Sequence, residues 1–90
     1  MRLAIAYDIS SDTNRRRVYR TLQRYGAWQQ YSVFEVKVSK AERVELEDEL
    51  KEHLEPSDGD RIRVYRLCSS CLDKTTDLGA EQPNDQSNVI

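Results

Sequence analysis

Ninety residues suffice for one small domain with a thin core, so tight packing or association must add to its stability. Two cysteines exclude a disulfide scaffold, no apolar run is long enough to cross a bilayer, and Asp8 and the arginines interrupt any signal-like start, which leads us to expect a soluble, cytoplasmic chain. The net charge of −2 hides a division: residues 1–26 carry six arginines against two acids, residues 40–55 three bases against seven acids, and residues 73–90 one base against four acids, so one basic and one acidic surface are expected on the same domain.

Residues 2–8 alternate Leu3, Ile5 and Tyr7 with Ala4, Ala6 and Asp8. Apolar content on both sides predicts a central strand covered on both faces, with alanines that let another layer come close. Ser10, Ser11, Asp12, Thr13 and Asn14 make a turn rich in helix N-cap candidates. A helix follows to Tyr25 and ends at Gly26, expected as its C′ residue. Val18, Leu22 and Tyr25 share one helical face, with Tyr19 at its margin. Arg16, Arg20 and Arg24 recur at i, i+4 and i+8, with Arg17 beside them. Arg15 falls next to the apolar stripe and is expected to point toward the end of the first strand.

Residues 33–38 alternate Phe34, Val36 and Val38 with Val33, Glu35 and Lys37, a strand pattern. Residues 28–31 read as a separate short strand with a break near Ser32, although no Asn-Gly or Gly-Gly pair fixes a hairpin. Ser39 caps a second helix over residues 40–54, which carries Leu46, Leu50 and Leu54 on one side, and Glu42 completes a capping box. Residues 56–59, Pro-Ser-Asp-Gly, form a turn. Residues 60–68 form a strand with Ile62 and Val64 against Arg61, Arg63 and Tyr65. Short strands are expected at 74–78 and 87–90, the second in an arm that docks on another surface. The order predicts an α+β fold, a ferredoxin-like βαββαβ sandwich over residues 1–78 with an extra C-terminal strand in a tail over residues 79–90. Two helices on one face leave the other face bare, and a homodimer through that open face is the expected cover.

The chemistry concentrates in residues 3–24. Asp8 has a plain reading as a turn acid that accepts the amides of Ser10 and Ser11. Its other reading is a metal ligand. One carboxylate is a poor Mg²⁺ site, but a two-fold axis bringing two copies of Asp8 together repairs that deficit. The arginines read either as a solvated helix face or as phosphate contacts, and the use of arginine where lysine would serve for solubility favours phosphate. Tyr7, Trp28, Tyr31, Phe34 and Tyr65 mostly follow strand alternation and suit a core; Phe34 is the exception to watch as a base-stacking candidate. Cys68 and Cys71 supply only half of a zinc site, unless a dimer completes it, and His53 has no ligand spacing. A redox role is disfavoured because the pair does not open a helix after a first strand.

The chain resembles the family of CRISPR-associated protein 2. The resemblance rests on Tyr7-Asp8-Ile9, on Asn14-Arg15-Arg16-Arg17-Val18, on Gly26 and the run Gln30-Tyr31-Ser32-Val33-Phe34-Glu35, and on residues 60–68 with Leu78-Gly79. It implies a ferredoxin-like homodimer whose C-terminal strand is exchanged onto the partner protomer's sheet. It implies a scaffold that bridges the larger CRISPR integrase protein and lies along double-stranded DNA during spacer acquisition. It also implies Asp8 as catalytic and Mg²⁺-binding in an endonuclease acting on RNA or double-stranded DNA. Arg15, Arg16, Arg17, Arg20 and Arg24 are the expected nucleic-acid contacts, with Ser10 and Phe34 as further candidates. A stand-alone metal-dependent endoribonuclease of toxin type is the alternative.

Overall fold

The computed structural model describes residues 1–80. Its elements run β1 (Arg2–Asp8), α1 (Asp12–Gln23), β2 (Gly26–Gln30), β3 (Val33–Lys37), α2 (Lys40–Lys51), a 3₁₀ turn (Pro56–Asp58), β4 (Arg61–Leu67) and α3 (Ser69–Asp73). The strands form one antiparallel sheet in the order β2-β3-β1-β4. Each helical connection crosses over one strand, as the ferredoxin-like α+β reading requires.

Register fixes the two faces of this sheet. Leu3 pairs with Val36 and Ile5 with Phe34 on one side, and Ile5 and Tyr7 meet Val64 and Ile62 on the other. These residues share a face with Val18 and Leu22 of α1 and Leu46 and Leu50 of α2, and together they form the core. Burying each such side chain contributes about 1.5–3 kcal/mol, so this one layer supplies most of the driving force. The opposite face carries Ala4, Ala6 and Asp8 of β1, Glu35 and Lys37 of β3, and Arg61, Arg63 and Tyr65 of β4. β1 is therefore central, as expected, but among the described residues only one of its faces is covered by helices. Ala4 and Ala6 stay half-buried on the open face.

The local signals explain the helices. Ser11 caps α1 and its hydroxyl accepts the Asn14 amide at 3.2 Å, with Asp12 in the first turn. Ser39 and Glu42 close the expected capping box on α2, which holds the Glu42 carboxyl below the ordinary range through the Ser39 amide. Both helices end sooner than their periodicity suggests, α1 at Gln23 and α2 at Lys51.

Two expectations need correction, and a third, the break near Ser32, takes a definite form. Gly26 is not a helix cap: it begins β2, where a Cβ would stand 2.0 Å from the Glu35 carbonyl oxygen. Close approach of two backbones requires this glycine. The break near Ser32 is a tight turn of Tyr31 and Ser32 between β2 and β3, entered by Tyr31 at φ 43° and held by the Trp28 Nε1–H, which donates to the Tyr31 carbonyl at 2.7 Å. The strand expected at 74–78 does not form. The chain instead makes α3, because the Cys68 sulfur accepts the Cys71 amide and caps a helical turn. The strand expected at 87–90 lies outside the described residues, as does most of the tail.

Candidate nucleic-acid interface and carboxylate site

The loop after β1 brings two aspartates close in space with opposite fates. Asp60 is buried at 7 % exposure. One of its oxygens accepts the Ser10 amide and the other the Glu55 amide, both at 3.0 Å. It ties the β1–α1 loop to the turn before β4. The Ser10 hydroxyl donates to the Asp58 carbonyl at 3.2 Å and reinforces the same tie. Asp8 is exposed, and its side chain makes no hydrogen bond or ion pair among the described residues. The structural work expected of Asp8 is thus done by Asp60 and by the Ser11 cap. Sequence reasoning missed Asp60, whose only signal was its place at the end of the Pro-Ser-Asp-Gly turn.

Asp8 lies on the open face opposite Arg61 in the β1–β4 register. It lines a shallow cavity of about 330 Å³ with Ala6, Tyr7, Arg61, Arg63 and Tyr65. The Arg63 guanidinium sits over the Tyr65 ring at 5.2 Å. One carboxylate beside two guanidinium groups suits a phosphate-bearing ligand better than a bare metal ion. No group of three or more His, Cys, Asp or Glu converges to hold a metal among the described residues. Mg²⁺ accepts one or two protein carboxylates together with phosphate oxygens and waters. The donor set fits that ion only as a half-site completed by nucleic acid and a second copy of Asp8.

The arginines of α1 divide into three groups. Arg15 turns inward as expected: its guanidinium donates to the Ile9 carbonyl at 3.3 Å and pairs with Asp12. Arg24 pairs with Glu49 of α2, so this end of the basic stripe is met by the acidic helix. Arg16, Arg17 and Arg20 are exposed and make no ion pair among the described residues. They occupy the outer side of α1, away from the sheet's open face, so the structure does not bring them together with Asp8.

Phe34 is fully buried, with its ring centroid 5.1 Å from Tyr19 and 6.4 Å from Tyr7. At that depth it reaches no nucleic acid, and its expected place as a base-stacking candidate gives way to a core role. Burial, ahead of the nearby Tyr19, pushes the Tyr7 hydroxyl up to about 12, against the lowering influence of Arg15 and Ser32. Among the described residues no helix is long and apolar enough to cross a membrane.

Comparison with known proteins bears on this arrangement. The model of the family described as CRISPR associated protein Cas2 matches residues 1–75. The chain is 44% identical over 90 residues to the CRISPR-associated endoribonuclease Cas2 2 of Methanospirillum hungatei, covering 100% of this chain and 99% of that protein. Its fold is similar to the crystal structure of Streptococcus pyogenes Cas2 at pH 6.5, with a TM-score of 0.77 and 28% identity over 88% of this chain and 100% of that one. It is also similar to a chain of a partial Cas6-RT-Cas1–Cas2 complex, with a TM-score of 0.72 and 29% identity over 86% and 89% of the two chains.

Proposed function

This chain belongs to the Cas2 family of CRISPR-associated proteins, and on that premise we propose that it acts in spacer acquisition as a homodimer that grips double-stranded DNA by its backbone and scaffolds the integrase complex. The observation that carries this reading is the row of exposed guanidinium groups at Arg16, Arg17 and Arg20, none of which has an ion-pair partner among the described residues. Arginines on the outer side of one helix suit phosphates spaced along a duplex, without reading its sequence. Likeness to a chain of a Cas1–Cas2 complex supports the larger adaptation protein as partner. The bare sheet face, lined by alanines, supports pairing of two copies through that face.

A second reading, a metal-dependent endoribonuclease, is favoured by the free state of Asp8 and by the name endoribonuclease that the Methanospirillum relative bears. In this reading Asp8 of each protomer holds Mg²⁺, while Arg61 and Arg63 neutralise the phosphates on either side of it. The metal would supply charge stabilisation and an activated water for phosphodiester hydrolysis. Latent cleavage and DNA gripping are compatible in one dimer, since Asp8 lies at the end of β1 and Arg16, Arg17 and Arg20 on the outer side of α1, so the two do not compete for the same residues.

The test is a gel shift of duplex DNA with wild type and Arg16→Ala/Arg20→Ala, alone and with the integrase partner. Removing two phosphate contacts per protomer should weaken binding at low salt and lower the salt slope by about two for each protomer engaged. Unchanged binding and an unchanged slope would reject the role of this helix.

A further inference from the structure

The far end of the sheet from Asp8 carries a second chemical cluster. Cys68 follows β4 as the N-cap of α3 and Cys71 lies in α3, with their sulfurs 3.0 Å apart. Both are exposed and free. The Cys68 sulfur accepts the Cys71 amide at 3.3 Å and lies 3.2 Å from the Ser70 hydroxyl, so it is the better stabilised of the two as a thiolate. Beside it opens a cavity of about 510 Å³ lined by Cys68, Ser69 and Leu72 together with Arg2, Lys37 and Arg66. None of these three cations has an ion-pair partner among the described residues. The pair does open a helix, α3, although it does so after β4 and not after a first strand.

We propose that Cys68 and Cys71 form a redox-active dithiol that exchanges with an anionic low-molecular-weight disulfide of the glutathione class, drawn in by Arg2, Lys37 and Arg66. The Cys68 thiolate attacks one sulfur of the small disulfide. A bond forms from Cys68 to that sulfur, the small disulfide's own bond breaks, and one small thiolate leaves. Cys71 gives up its proton to solvent and attacks Cys68, forming the Cys68–Cys71 bond and expelling the second small thiolate. Each leaving thiolate takes up a proton, so the dithiol loses two electrons and two protons and the small disulfide gains them. Two thiols with unequal tendencies to ionise suit this division into attacking and resolving partners. Hydrogen bonds from Cys71 and then Ser70 bring Cys68 down to about 7, whereas its neighbour's sulfur pushes Cys71 up.

The test incubates the full chain in graded mixtures of oxidised and reduced glutathione, quenches it with acid, alkylates the free thiols and reads intact mass. Wild type should pass in one step from two alkylated thiols to none, without a persistent glutathione adduct. Cys71→Ser should accumulate one adduct at Cys68. Cys68→Ser should react at Cys71 about tenfold more slowly near neutral pH. Arg2→Gln/Arg66→Gln should slow the reaction with oxidised glutathione several-fold but not that with neutral hydroxyethyl disulfide. Thiols that stay alkylatable throughout, equal reactivity of the two single variants, or thiols shielded by bound zinc until a chelator is added would each overturn the dithiol assignment. Equal slowing toward both disulfides would overturn the role of the basic cavity.

Discussion

Asp8 ends β1 and Asp60 stands just before β4, the strand paired with it, yet of these two aspartates one is spent on structure and the other is not. Asp60 is buried and accepts two backbone amides from different loops. Asp8 is exposed, faces Arg61 across the sheet and accepts nothing among the described residues. A carboxylate whose oxygens are already satisfied cannot be recruited for chemistry without breaking the fold. One left at a strand end, on an open face, costs the fold little and remains available. The arginines of α1 repeat the contrast: Arg15 and Arg24 are held by Asp12 and Glu49, whereas Arg16, Arg17 and Arg20 have no ion-pair partner among the described residues.

The contrast is broken most sharply at Asp60. Asp60→Ala leaves the Ser10 and Glu55 amides without acceptors in a buried place, and should cost about 2–4 kcal/mol in urea unfolding. Asp60→Asn keeps one good acceptor and should cost less. A loss below 1 kcal/mol (about a fivefold change in the folding equilibrium) would mean that Asp60 is not the anchor.

Tyr7 comes next, since it packs directly beneath the Asp8 cavity. Its hydroxyl is raised from 10.0 to about 12, so the folded state prefers the protonated form. The stability this confers is complete below pH 10 and is lost as pH rises through about 12. Tyr7→Phe should flatten that alkaline limb, with a difference on the order of 1–2 kcal/mol between the two proteins across the window. Parallel alkaline curves would show that Tyr7 ionises in the folded state as freely as in the unfolded one.

A smaller effect is expected at Glu49. Glu49→Ala releases Arg24 to extend the free row on α1. Because the ion pair is exposed, stability should change by less than about 1 kcal/mol, while affinity for duplex DNA at low salt should rise a few-fold. Weaker DNA binding would show that the pair positions Arg24 for its contact rather than withholding it.

Much of this was legible in the sequence because the relevant signals are local or periodic. The alternation of β1 and β3, the leucine spacing of α2, the Ser39–Glu42 capping box and the inward lean of Arg15 all follow from nearest-neighbour geometry. The features that were not legible depend on contacts between distant segments. Nothing near Asp60 in the chain shows that it will accept the Ser10 amide, fifty residues away. Gly26 looks like a helix terminator until β3 is packed against it. The side-by-side placement of Arg61, Arg63 and Asp8 appears only once β1 and β4 are set in register. Phe34 carried two readings, and the packing of Tyr7 and Tyr19 around it chose the core. The break near Ser32 was legible but its hairpin geometry was not, because the turn uses a tyrosine, held by Trp28, in a conformation usually given to glycine or asparagine.

The smallest effect on the fold and the most informative one for function fall on the same residue. Asp8→Ala should leave the free energy of unfolding in urea within about 0.5 kcal/mol of wild type, as for a surface residue away from buried networks. The decisive measurement is spacer acquisition by Asp8→Ala in a complete system, alongside Mg²⁺-dependent cleavage of RNA and duplex DNA by the purified variant. The scaffold account predicts unchanged acquisition with any cleavage abolished. Acquisition that falls together with cleavage, in a protein of unchanged stability, would contradict it.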